Sequence, residues 1–265
     1  MCASVHTFLN SSLTICGEAE NLSVRPKDKK WQLKNKLLMT MPEAVCARLQ
    51  PELRIIELEA GRTIYETNAQ QHCMVFPRDG LISLLYVLEN GDTSEIAMVG
   101  NEGMVGVALL VDSHSTPSRG VVQIEGEALA LSTEAVNREF KLGGAFQFGI
   151  LRFTQSLLTQ MAQCAVCGRH HSIEKQLCRW LLLASDRVGG EAIRMTQDGI
   201  ARLLGVRREG IAAAAKNLQT ANIIDYGRGV ITILDHPALR ARACECYGVI
   251  NHEYERLLSP LPSPR

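Results

Sequence analysis

Residues 197–216 read Gln-Asp-Gly-Ile-Ala-Arg-Leu-Leu-Gly-Val-Arg-Arg-Glu-Gly-Ile-Ala-Ala-Ala-Ala-Lys, and this stretch constrains the chain more than any other. Two short helices meeting at a sharp angle need a small residue at the crossing, a turn residue tolerant of left-handed backbone, and a shared apolar set. Ala201 suits the crossing, and Gly205 can end the first helix without a Cβ penalty. Ile200, Leu204, Val206, Ile211 and Ala214 supply the shared core, and Thr196 is a good N-cap. The expected structure is a helix-turn-helix, with an ordinary αα-hairpin as the plain alternative.

Residues 221–226 and 230–234 flank Gly227-Arg228-Gly229, giving two short strands around a glycine turn: a wing directly after the second helix. Such a second helix enters the DNA major groove N-terminus first. Arg208 would then present its planar fork to guanine O6 and N7, and Glu209 would accept from cytosine N4. Arg207, Lys216 and Arg228 would lie against phosphates, where they set register and affinity. Without DNA, Arg208 and Glu209 would read as a solvated surface pair. Gly210 weakens the second helix by up to ~1 kcal/mol relative to alanine. The run Ala212–Ala215 suits thymine methyl groups or close backbone packing.

Upstream, the pattern is that of short strands. Apolar runs at 54–58, 63–65, 73–77, 81–88, 94–99, 121–124 and 128–131 are separated by turn residues, including Asn90-Gly91-Asp92, a strong hairpin signal. Seven strands at this spacing predict a β-barrel or jelly roll. Leu37, Leu38, Met41, Val45 and Leu49 recur at helical spacing before it and predict one short helix ending near Pro51. After Ser132 the period changes, and residues 145–167 read as one long helix. Ile150, Leu157 and Cys164 fall on one seven-residue repeat and Leu151, Leu158 and Ala165 on the next. So wide an apolar stripe must be covered, by the chain's own barrel or by a second copy of the helix. A further helix is predicted from Ser172 to about Arg187.

The fold class is therefore α+β, in five segments: a flexible arm (1–34), a barrel domain (35–144), a long dimerisation helix (145–168), a winged helix-turn-helix domain (169–255) and a flexible tail (256–265). The 28 basic and 28 acidic residues cancel, yet residues 35–167 carry a net −6 and residues 168–235 a net +3. An acidic front joined to a mildly basic segment suits one nucleic-acid-binding domain. No apolar run approaches the roughly 20 residues of a membrane span, and the N-terminus lacks the pattern of a signal peptide. The expected location is the cytoplasm, with no membrane partner. The nine cysteines form no disulfide framework and are expected to be reduced.

A barrel, a long helix and a winged helix-turn-helix, in that order, resemble the Crp/Fnr family of bacterial transcription regulators over about residues 35–255. The specific pieces are Leu203 to Glu209 and the wing, with Phe76–Gly80, Ala97–Gly106 and Ala243-Cys244-Glu245-Cys246-Tyr247 similar to one subgroup. The resemblance implies a cyclic-nucleotide-binding-like N-terminal domain, a homodimer joined along the 145–167 helices, double-stranded DNA with a pseudo-palindromic operator, and RNA polymerase as a further partner.

Nucleotide-binding members of the family hold the ribose and cyclic phosphate with a Gly-Glu and an Arg-Ser pair. Here Gly106 fits, but Val107 replaces the glutamate, and Gly120 follows Arg119 where serine is expected. Met161 and Ala162 stand on the long helix where nucleotide binders carry hydroxyls. These residues outline a candidate effector pocket (Gly106, Val107, Arg119, Gly120, Met161) and argue against cyclic AMP. Cys2 and Cys16 are too sparse for an iron–sulfur cluster, and Cys164-x-x-Cys167 is expected to pack in the dimer seam. His72 and Cys73, neighbours on a strand, point to opposite faces and cannot share a haem iron. His170-His171 is expected at a helix junction. No metal or other cofactor is expected.

Two other readings stand beside the regulator. An enzyme with an appended DNA-binding domain finds no paired carboxylates, nucleophile–base pair or metal-spaced histidines to support it, so no catalysis is expected. A nucleotide-gated module would use Arg119 for a cyclic nucleotide or cyclic dinucleotide, or act through a protein partner.

Overall fold

The computed structural model describes residues 34–111, 115–190 and 192–258. Of the arm expected at 1–34, only Lys34 falls within them, paired with Asp79 at 3.2 Å. The single helix expected before Pro51 is two: α1 (Lys36–Met39) and α2 (Glu43–Leu49). Pro42 makes the break, since it disfavours helical backbone at the residue before it. Asn35 anchors α1, accepting from the Leu38 N–H and donating to the Pro77 and Gly103 carbonyls.

Seven strands follow: β1 (Arg54–Leu58), β2 (Thr63–Tyr65), β3 (Cys73–Pro77), β4 (Leu81–Val87), β5 (Thr93–Val99), β6 (Arg119–Ile124) and β7 (Gly126–Ser132). They form two antiparallel sheets, ordered β1-β7-β3 and β2-β6-β4-β5. The β4–β5 hairpin closes through Asn90-Gly91-Asp92 as the sequence predicts, with Val87 opposite Thr93. The sheets enclose Met74, Phe76, Leu81, Ile82, Met98, Val99, Val122 and Leu131, all essentially without solvent contact. That side-chain set makes the jelly roll a packed core.

Helix α3 (Thr133–Leu142), absent from the sequence reading, is capped by the Ser132 hydroxyl. Helix α4 (Gly144–His170) is the expected long helix, and α5 (Ile173–Val188) begins at a Ser172 N-cap. Beyond it lie β8 (Ala192–Arg194), α6 (Gln197–Leu204), α7 (Arg208–Thr220), β9 (Ile224–Gly227), β10 (Val230–Ile233), α8 (His236–Arg242) and α9 (Glu245–Leu258). Helix α9 runs into the tail expected from residue 256, because it packs along α4 and its Arg256 carbonyl accepts from Arg152 at 3.1 Å. Among the described residues no helix is long and apolar enough to cross a membrane. Among the described residues six cysteines are free thiols, but Cys73 is disulfide-bonded, a departure from the all-reduced expectation.

Candidate nucleic-acid interface

Thr196 caps α6, its hydroxyl accepting from the Gly199 N–H at 3.0 Å. Gly205 sits in the left-handed region (φ 64°, ψ 34°). Its N–H bonds back to Arg202, and the Val206 N–H reaches Ala201 at 3.0 Å, the paired bonds that terminate a helix at a left-handed glycine. The chain therefore turns within three residues, Gly205 to Arg207, and α7 starts in a new direction. Ile200, Ala201, Ile211 and Ala214 are buried between the helices, with Leu204 and Val206 packed half-buried against them. Leu203, to which the sequence reading gave no part in that core, is fully buried beside them, together with Ala215 and Leu218.

The solvent side of α7 is cationic at its start. Arg207, Arg208, Glu209 and Lys216 are exposed, as is Arg228 at the wing tip. Among the described residues none of these five side chains forms a hydrogen bond or ion pair, so Arg208 and Glu209 are not a surface salt bridge. Within the alanine run, Ala213 is exposed while Ala214 and Ala215 are buried, so only part of it faces outward. Gly210 has a packing reason: a β-carbon there would stand 2.5 Å from the Ile173 Cδ1 at the start of α5. Asn217 holds the same side of α7 through Glu174 at 3.1 Å.

The wing is the sheet β8-β10-β9. Arg228 and Gly229 both take positive φ, 52° and 76°, the geometry of the tight hairpin turns that match strand twist. Tyr226 fastens the wing to the helix-turn-helix by donating to the Met195 carbonyl at 2.8 Å. The third strand, β8, is only three residues long and was not predicted.

Residues 175–242 match the Crp-like helix-turn-helix domain, and residues 55–141 match the cyclic nucleotide-binding domain. The chain belongs to the Crp/Fnr family. Its fold is shared with FixK2 from Bradyrhizobium japonicum (TM-score 0.63, 14% identity, 72% of this chain and 98% of that one). It is shared also with the c-di-GMP responsive global regulator CLP of Xanthomonas campestris (0.59, 14%, 72% and 99%). A CRP/FNR-family transcriptional regulator from Thermus thermophilus is similar again (0.57, 17%, 71% and 97%). No curated protein matches the sequence. With both domains in place, this Crp/Fnr chain is a DNA-binding transcription regulator.

The barrel of this regulator grips its DNA-binding domain through buried polar contacts that the sequence did not reveal. Trp180 on α5 donates to Glu95 on β5 at 3.0 Å, and Ser83 donates to the other oxygen of that carboxylate. Burial pushes the Glu95 carboxyl up to about 7. Arg187, also on α5, donates to Glu102 at 2.7 Å, to Gln160 on α4 at 2.5 Å and to the Leu183 carbonyl. Gln160 in turn donates to the Met98 carbonyl at 3.0 Å. The Gly100–Gly103 segment needs its glycines here: a β-carbon on Gly103 would stand 1.8 Å from Phe153, and one on Gly100 2.5 Å from the Arg187 Cβ.

The candidate effector residues are partly committed to the protein itself. Arg119 bonds Thr63 at 3.1 Å and pairs with Glu66 at 3.5 Å. A β-carbon on Gly120 would lie 2.6 Å from the Tyr65 ring, whose hydroxyl bonds Ser118. Gly106 (φ 124°) lies against Met74 and Cys73 instead, Val107 begins a short 3₁₀ turn (Val107–Val111), and Met161 is half-buried on α4.

The two seven-residue repeats of α4 separate. Leu151, Leu158 and Ala165 face solvent with Phe148 and Val166, whereas Ile150 and Leu157 are buried within the chain's own fold. Of the two covers that the sequence allows, the chain's own fold takes Ile150 and Leu157, and Cys164, expected in the dimer seam, is drawn inward as well. Cys164 turns toward α5, where Arg179 donates to its sulfur at 3.3 Å. Cys167 also leaves the seam: it is fully buried, with its sulfur 3.5 Å from that of Cys244. His171 caps α4 at the junction expected for it, and its Nδ1 lies 3.6 Å from the Cys246 sulfur.

Proposed function

We propose that this regulator works as a cytoplasmic homodimer that lays α7 of each subunit in the major groove of a pseudo-palindromic operator and acts with RNA polymerase. The observation that carries it is the free cationic start of α7, where Arg207, Arg208 and Glu209 emerge directly after the Gly205 turn. Base readout falls to Arg208 and Glu209, and phosphate contact to Arg207, Lys216 and Arg228. The exposed Phe148-Leu151-Leu158 stripe of α4 supports pairing of two long helices, since so contiguous an apolar face on a helix asks for cover. We read the chain as a regulator without catalytic activity.

Effector binding is not of the cyclic AMP type in this reading. Glu66 already neutralises Arg119, the Tyr65 ring covers Gly120, and Val107 offers no carboxylate to a ribose hydroxyl. A cyclic dinucleotide is the second reading, favoured by the response of the CLP regulator to c-di-GMP.

Selection of binding sites from a random DNA pool with the purified full chain tests the main reading. It should yield a two-fold symmetric sequence whose half-sites are one helical turn apart, about 10 base pairs. A pool that shows no enriched symmetric site would refute it. Calorimetry with cyclic AMP and with c-di-GMP tests the effector, and a micromolar cyclic AMP fit would overturn the reading of Arg119.

A further inference from the structure

Four potential metal ligands that the sequence scatters come together where the long helix meets the end of the DNA-binding domain. Cys167 and His171 close α4, while Cys244 and Cys246 form the corner between α8 and α9. Their ligand atoms all lie within 4.8 Å of one another. All three cysteines are buried and make an apolar cluster of their own, apart from the main core.

We propose that Cys167, His171, Cys244 and Cys246 form a closed, structural Cys3His site for one zinc ion. Size is the first argument. Ligand atoms about 2.0–2.3 Å from a tetrahedral zinc stand about 3.5–3.8 Å apart. The Cys167–Cys244 sulfurs are 3.5 Å apart and the Cys246 sulfur is 3.6 Å from His171 Nδ1, the spacing of ligands on one ion, and no two of the four ligand atoms stand more than 4.8 Å apart. The donor set is the second argument, because three thiolates and an imidazole in a buried tetrahedral group are the ligands of structural zinc.

The surroundings complete the site. With Nδ1 facing the sulfurs, His171 directs Nε2 at Glu245, 3.2 Å away, the carboxylate partner that fixes the tautomer and orientation of a metal-bound histidine. The main chain of His171 is fastened too, its N–H to the Cys167 carbonyl and its C=O to the Gln176 amide. Zinc with three thiolates carries one net negative charge, and the buried guanidinium of Arg179, bonded to Cys164 one helical turn before Cys167, lies beside it to balance that charge. The ligands within each close pair are separated by 77 and 75 positions in the chain. A bound ion would therefore tie the base of the dimer helix to the corner that follows the wing.

Metal analysis of the full chain, purified without chelators, tests the site. The expected result is about one zinc per chain, lost in Cys244→Ser and in His171→Gln but kept in Cys46→Ser, whose thiol lies in the N-terminal domain. Glu245→Gln should keep the stoichiometry and weaken zinc affinity by about tenfold or more, an effect that mere packing of thiols would not produce. Because a ligand variant can also misfold, cobalt(II) titrated into chelator-treated wild-type chain gives an independent readout. Thiolate-to-cobalt charge transfer with strong tetrahedral d–d bands, displaced by zinc, supports the site. Any of three results overturns it: weak octahedral cobalt bands, an iron–sulfur or copper content in place of zinc, or zinc that persists in Cys244→Ser. None of these readouts depends on DNA binding.

Discussion

The Trp180 indole N–H donates to the Glu95 carboxylate across 3.0 Å, joining the first helix of the DNA-binding domain to β5, the edge strand of a barrel sheet. Both residues are buried, and Glu95 also receives the Ser83 hydroxyl. An acid with two neutral donors and no direct cationic partner is costly to ionise there. Burial is the leading cause of its upward shift, from 4.5 to about 7.

A carboxyl whose pKa is raised by folding acts on stability with a definite sign. Between pH 4.5 and 7 the folded chain holds a proton on Glu95 that the unfolded chain releases, so this residue's contribution to stability falls as pH rises through that window. The full effect is on the order of 3 kcal/mol. Glu95→Gln keeps an acceptor for Trp180 without a charge to bury. Urea unfolding across pH 5–8 should show a flatter profile for the variant than for wild type; parallel profiles would exclude Glu95 as the source.

Arg187 and Glu102 are both buried and bonded at 2.7 Å, with Arg187 lying over the Tyr254 ring at 5.2 Å. Removing one member of such a pair leaves the other charged and unpartnered. Arg187→Ala should lose about 3–5 kcal/mol in denaturant unfolding. A loss below about 1 kcal/mol would mean that water replaces the guanidinium at little cost.

On DNA, Arg208→Ala should relax preference at one base position by about 1–3 kcal/mol and leave other positions unchanged. Lys216→Ala should instead weaken all sequences alike and reduce the salt slope by about one. Fluorescence anisotropy on the selected site, across a salt series, separates the two. Equal behaviour of the variants and wild type would remove α7 from the interface.

Adjacent leucines on α4 should behave oppositely. Leu158 is 56% exposed and Leu157 3%. Leu158→Lys is expected to shift sedimentation equilibrium toward monomer with its circular dichroism unchanged. Leu157→Ala should lower unfolding stability by about 2–5 kcal/mol through a cavity in the subunit core. If Leu158→Lys leaves the assembly intact, the pairing face lies elsewhere.

The barrel strands and the helix-turn-helix were legible because their signals are local. Alternating apolar runs, Asn90-Gly91 and the Gly205 turn each act within a few residues. The break at Pro42 was equally local but was outweighed by the helical spacing of Leu38, Met41 and Val45. Helix α3 announces itself only by its Ser132 cap. The partition of α4 was not legible, since both repeats are apolar and only the barrel decides which faces inward. Contacts such as Glu95–Trp180, 85 residues apart, leave no trace in spacing, and neither does the meeting of Cys167 with Cys244.

Helix α6 leans on strand β5, with the Ser94 hydroxyl 3.6 Å from where a β-carbon on Gly205 would be. The reading head thus rests directly against the barrel wall. In a paired molecule, the distance between two heads would be a dimension of the barrels themselves. A shift of that strand edge would be passed straight to the head and so to the spacing it offers a DNA groove.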